Sequence, residues 1–212
     1  TKHMINPKLI VLYCHTVFGK CTEFAHLAEG LKDLPVIYFS YSRRGVHSDL
    51  PNKYYNITGS VDVLDKILDH INANYPNIPI HAIGASAGTC LLSKYLGSKN
   101  KSKRIKSAVF ISPCYNFIQS IADIPDTVQS KLLEKLKNRY RHCVGPVLLN
   151  VKTLREWAIL HYITTEYEST QEYIKNSEPH NFLHRINVPT LMISALDDFC
   201  FPGSVTNKYL DL

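Results

Sequence analysis

Apolar runs of strand length alternate along this chain with segments whose apolar residues recur every three or four positions. Residues 9–14, 35–40, 79–83, 105–111 and 188–194 are rich in β-branched side chains and bounded by Pro, Gly or polar loops, and they read as buried strands. The clearest helical period runs from Ser60 to Tyr75, where Val61, Leu64, Leu68, Ile71 and Tyr75 share one face behind an N-cap Ser60, and Pro76 ends it. Residues 22–32 and 87–96 are shorter versions, the second closed by Gly97. Strands alternating with helices predict the α/β class, a mostly parallel sheet with helices on both faces. The alternation fails between Pro113 and Arg185, where helical patterns at 127–141, 151–162 and 171–175 follow one another without a convincing strand. One domain over residues 1–212 is expected, with a helical insertion at about 113–185 lying as a lid over a crevice at the carboxyl ends of the strands. No second domain with a core of its own is expected.

Composition narrows the picture. The chain has 212 residues, 45% hydrophobic and 20% charged, which suits a globular domain and excludes disordered and fibrous classes. Its longest apolar run, at 9–14, is far short of the roughly 20 residues of a membrane-spanning helix. Residues 1–8 lack the apolar stretch of a signal peptide, and Thr1 to Met4 read as an expression remnant. The net charge of +6 is spread out except for the run 99–106, expected to be a solvated link between two elements, with anionic lipid headgroups or nucleic acid as the alternative contact of that run. Nucleic acid is not expected as a partner. The six cysteines show no ligand-like spacing, so reduced thiols are expected and neither a metal nor a cofactor is called for. Asn56-Ile57-Thr58 matches the glycosylation acceptor pattern, which carries little weight without a secretion signal.

The chemistry concentrates at Gly84-Ala85-Ser86-Ala87-Gly88. It follows a predicted strand and opens a predicted helix, the context that a G-x-S-x-G nucleophile turn requires. Small residues around Ser86 allow a tight turn that presents its hydroxyl at the sheet edge, and the Ala87 amide can donate to a developing oxyanion. A second donor is expected from the loop after an earlier strand, His15 to Gly19, with the Val17 amide as the candidate. His15 itself is read as a residue that holds the loop it begins. The acid is expected after the last strand, where Asp198 is preferred as the inward-turning carboxylate and Asp197 as the residue that holds the turn. Cys14, Cys114 and Cys200 fall at strand ends near this site and read as small packing residues.

These stretches together resemble the α/β-hydrolase superfamily, and within it the branch containing bacterial YheT-type esterases and eukaryotic lipases of the ABHD1, ABHD2 and ABHD3 type. His15 to Gly19 resembles the oxyanion loop of that branch, 41–51 its Arg-Gly loop, and 54–64 its Tyr, Gly and Asp pattern leading into a helix. The Ser86 turn with Lys94 to Gly97 behind it, and residues 188–202, complete the resemblance. It implies a serine hydrolase of carboxylic esters, with an ester or acyl lipid as small-molecule substrate. Thr16 stands where the branch has Gly, and Ala87 where it usually has Leu. In the superfamily the catalytic His follows the acid, whereas every histidine here precedes Asp198; His180 and His184 lie just upstream of the last predicted strand. The two opening strands of the superfamily also have no counterpart. A partial chain or a degenerate relative is therefore expected, the non-catalytic alternative being a binding module and a third an acyltransferase on the same site.

Overall fold

The computed structural model describes residues 6–20, 24–41, 56–98, 102–142 and 144–209. Five strands, β1 (Leu9–Cys14), β2 (Val36–Ser40), β3 (Ile80–Ala85), β4 (Ile105–Ile111) and β5 (Thr190–Ile193), pair in parallel in the order β2-β1-β3-β4-β5. The chain runs outward from β1 to β2 and then crosses to the other side of β1 for β3, which opens a crevice at the carboxyl ends of β1 and β3.

The two faces are covered unequally. Helices α2 (Val61–Asn74) and α3 (Ala87–Leu96) press Leu64, Leu68, Ile71, Leu92 and Tyr95 onto Ile10, Leu12, Ala82 and Phe110, the main core. The opposite face is covered over β1 to β3 by Phe24 and the short α1 (Ala25–Gly30), which pack on Val11, Tyr13 and Val36. Over β4 and β5, Ile111, Leu191 and Ile193 of that same face are exposed. The reading of residues 188–194 as a buried strand is therefore corrected. β5 is four residues long, pairs on one side only with β4, and has three exposed residues. An apolar run reports burial only where both faces of its strand are covered.

Between β4 and β5 lie α4 (Phe117–Asp123), α5 (Asp126–Tyr140), α6 (Pro146–Asn150), α7 (Leu154–Leu160) and α8 (Thr170–Ser177), with no strand among the described residues of this stretch. Local signals set their ends. Asn116 and Ser169 cap α4 and α8, and Thr153 forms a reciprocal capping box with Glu156 at α7. These helices bury Leu136, Tyr140, Leu148, Leu154 and Trp157 together, a cluster closed by Ile57, Val17 and Phe18 from loops at the sheet end. The apolar centre of the segment is thus continuous with the rim of the crevice. A last short helix, α9 (Gly203–Thr206), follows the turn after β5.

Residues 99–101 of the basic run lie outside the described residues. Arg104 reaches α2, 2.7 Å from Asp69 and 3.7 Å from Asp65, and Ile105 and Lys106 already belong to β4. The Arg-Gly loop at 42–50, and Tyr54 and Tyr55 of the pattern leading to α2, lie outside the described residues, as do Cys21 and Cys143. Of the remaining cysteines, 90, 114 and 200 are free thiols, and Cys14 is buried.

Candidate active site

Ser86 sits between β3 and α3 in a left-handed conformation, φ 50° and ψ −116°, which costs an L-residue on the order of 1–3 kcal/mol and persists only where packing enforces it. The enforcement is visible. The Ser86 N–H donates to the Ile111 carbonyl at 2.9 Å, and its own carbonyl accepts from the Thr89 hydroxyl at 2.6 Å. The same hydroxyl accepts from Cys114 N at 3.1 Å, tying the turn to the loop after β4. Gly88 is what lets α3 approach β1: a Cβ there would lie 1.9 Å from the Cys14 carbonyl oxygen. Ala87 begins α3, where backbone N–H groups have no intrahelical acceptor.

On the other side of the crevice the loop after β1 turns back through Gly19 N to Thr16 O at 3.0 Å. Tyr140 of α5 donates its hydroxyl to the Val17 carbonyl, so the helical segment holds this loop. His15 is buried, with Nδ1 2.8 Å from the Thr16 carbonyl, a local role.

Val17, Ser86 and Ala87 all line one cavity, about 670 Å³ of space free of protein atoms with its open mouth included. Its walls include Phe117, Leu132, Leu136, Leu154 and Phe201, and no described residue lining it is charged. Three of its wall residues are thiols, Cys90, Cys114 and Cys200. Cys14 is the packing residue the sequence predicts, buried beneath Gly88, and Cys90 of α3 adds a thiol to the cavity wall. A hydrogen bond with Cys90, with burial second, pushes the Cys114 thiol up; burial and the charge of Asp198 push Cys200 up to about 11. Such thiols are protonated at neutral pH and poor nucleophiles.

Asp198 is not a wall residue of this cavity, although Cys200 and Phe201, its close neighbours, are. Its Oδ1 accepts from Cys200 N at 2.8 Å and from Phe201 N at 3.0 Å, so Asp198 is the residue that holds the turn, a task the sequence assigned to the exposed Asp197. Neither His180 nor His184 reaches the cavity. His184 is exposed beside Arg185, and His180 lies against Glu178 and the Tyr115 carbonyl. No histidine lines the cavity among the described residues. Among those residues no group of His, Cys, Asp or Glu side chains could hold a metal, and no helix is long and apolar enough to cross a membrane.

The parallel sheet in this strand order, flanked by helices on both faces, with a long helical connection between β4 and β5, has the α/β-hydrolase fold. Residues 5–181 match the model of the family described as serine aminopeptidase, S33, and the chain belongs to that family. It is similar to the phospholipase ABHD3 of Bos taurus and of Homo sapiens, each 23% identical over 93% of this chain and 52% of the relative. The chain thus spans about half the length of the curated relatives it matches. Among solved structures it resembles a soluble variant of the monoglyceride lipase of Saccharomyces cerevisiae, with TM-score 0.59 and 16% identity over 100% of this chain and 75% of that one. It also resembles MGS-M2, an α/β-hydrolase enzyme from a deep-sea metagenome library, with TM-score 0.57 and 14% identity over 96% and 76%.

Proposed function

We propose that this chain carries the nucleophile and oxyanion half of a serine ester hydrolase acting on acyl lipids. Ser86 is the nucleophile, and the amides of Ala87 and Val17 form the oxyanion hole. Residues 113–185 serve as the lid. The observation that carries the reading is a strained serine at a helix start, opening onto a cavity whose walls are apolar and uncharged. Apolar walls of this kind hold an acyl chain while polar groups at one end fix the ester. The same lining speaks against an aminopeptidase substrate, whose ammonium group needs a carboxylate beside it, and no described wall residue supplies one. The likeness to a phospholipase and to a monoglyceride lipase agrees with an acyl-lipid substrate.

In this reading the Ser86 oxygen attacks the ester carbonyl, and its proton passes to an imidazole that later returns it to the leaving alcohol. Asp198 orients that imidazole, and Asp197 is the next candidate. The base is a histidine outside the described residues. In the whole protein a fluorophosphonate should label Ser86 covalently, and Ser86→Ala should abolish the labelling; labelling that survives the substitution removes Ser86 as nucleophile.

The absence of a histidine among the described wall residues favours one second reading, a lipid-binding module that uses the same cavity without turnover. It predicts binding of fluorescent fatty acids with no labelling by the fluorophosphonate in the whole protein.

A further inference from the structure

Glu178 is a carboxylate for which neither reading has a use, and it is almost fully buried, 5% exposed. It follows α8, and its backbone N–H closes that helix on the Ile174 carbonyl. Its side chain serves a different helix, sixty residues earlier in the chain: Oε2 accepts from Phe117 N and Oε1 from Ile118 N, each at 3.1 Å. These are the first two amides of α4, which no intrahelical carbonyl can reach. Asn116 already caps the next amide, Gln119 N, at 2.8 Å, so Glu178 is not the cap that α4 needs to start. It is a second clamp from outside the helix. His180 N binds the Tyr115 carbonyl at 3.0 Å, holding the same entry segment from the same side.

The clamped helix is a wall of the cavity. Phe117 lines it at the clamped end and packs on Cys90, Cys114 and Phe201; Ile124 lines it at the far end. The position of α4 therefore sets the cross-section of the space beside Ser86.

We propose that Glu178 is a positioning residue for acyl-chain selectivity: by holding the first two amides of α4 it fixes Phe117 in the cavity wall and so limits which acyl chains enter. This rests on the acyl-cavity reading above. A carboxylate suits the task because its two oxygens accept two parallel N–H groups at once and gain from the positive end of α4. Glutamine offers one acceptor and turns a donor toward the other N–H, so it clamps only half.

The test is a binding profile of this chain for dansyl-tagged saturated fatty acids of increasing length, alongside p-nitrophenyl ester turnover by the whole protein. Glu178→Gln and Glu178→Ala should both change the ratio of affinities for the longest and shortest chains, Ala by about tenfold, within the range that pocket contacts discriminate per methylene. Phe117→Ala should shift the ratio in the same direction, and adding Glu178→Gln to Phe117→Ala should shift it no further. Ile71→Val, which thins the main core beneath α2 at a residue that is not in the cavity wall, is the control that lowers stability, and its profile should match the wild type. A Glu178→Gln protein that melts earlier but keeps the wild-type profile makes the residue purely structural and overturns the proposal. If the wild type binds no member of the series, the acyl reading of the cavity itself fails, a result distinct from an unchanged profile in the variants.

Discussion

Two turns at the carboxyl ends of strands carry the proposed serine and acid, and they are built on opposite principles. The turn at Ser86 is fixed from a distance: Ile111 on β4, Cys114 after it and Cys14 on β1 all press on or bond to residues 86–89. Its φ of 50° exists because surrounding packing leaves no alternative. The turn at Asp198 is fixed by itself, through bonds from its carboxylate to the amides two and three residues on. Its surroundings are open: Leu196 is 93% and Phe199 60% exposed. The lesson is that the nucleophile's geometry is a property of the whole sheet, whereas the acid's is a property of a few residues.

The largest effect that would sharpen this contrast is catalytic. Asn at 198 keeps an Oδ1 acceptor for the turn but loses the charge, so in the whole protein Asp198→Asn should lower kcat by about 10⁴ while leaving the thermal midpoint almost unchanged. An unaltered kcat would leave Asp198 as a turn residue only and move the acid to Asp197. Next is Gly88→Ala, whose Cβ would overlap the Cys14 carbonyl oxygen at 1.9 Å; backbone there cannot give way, and we expect a loss of about 3 kcal/mol or more in urea unfolding. Wild-type stability in that variant would show the packing of α3 on β1 to be looser than described.

Side-chain truncation follows in size. Leu12→Ala, at a position 0% exposed in the centre of the sheet, should cost about 2–5 kcal/mol, and Leu196→Ala, beside Asp198, within about 0.5 kcal/mol. A costly Leu196→Ala would mean that this turn is covered by something in solution. The smallest effect is a pH dependence. The hydrogen bond to Glu178 raises His180 above its ordinary 6.5, with burial opposing and the Tyr115 carbonyl assisting. Because the folded value is the higher one, the pair's stabilisation is complete below about pH 6.5 and is lost as pH rises through the folded value. Because the side chain is 28% exposed, solvent screens the pair and the effect stays within about 2 °C in Tm, and His180→Gln should flatten the profile.

Much of this molecule can be read without coordinates, because the relevant physics is local or periodic. The five strands and the helices α1, α2, α3, α5, α7 and α8 follow from the period of apolar residues, and Ser60, Pro76 and Gly97 mark ends that a single residue's backbone preferences decide. Ser86 stands out because G-x-S-x-G after a strand and before a helix is a local pattern. The short helices α4 and α6 escaped because five to seven residues hold too little periodicity, although Asn116 and Pro146 were available as start signals. Other features depend on residues far apart in the chain. Exposure of β5 depends on whether a helix covers its face, which its own apolar run cannot tell. Cys90 joins the cavity wall because of the way α3 lies on β1. Glu178 reaches Phe117 across sixty residues of chain, and a buried carboxylate's partner is decided only when the helices have packed.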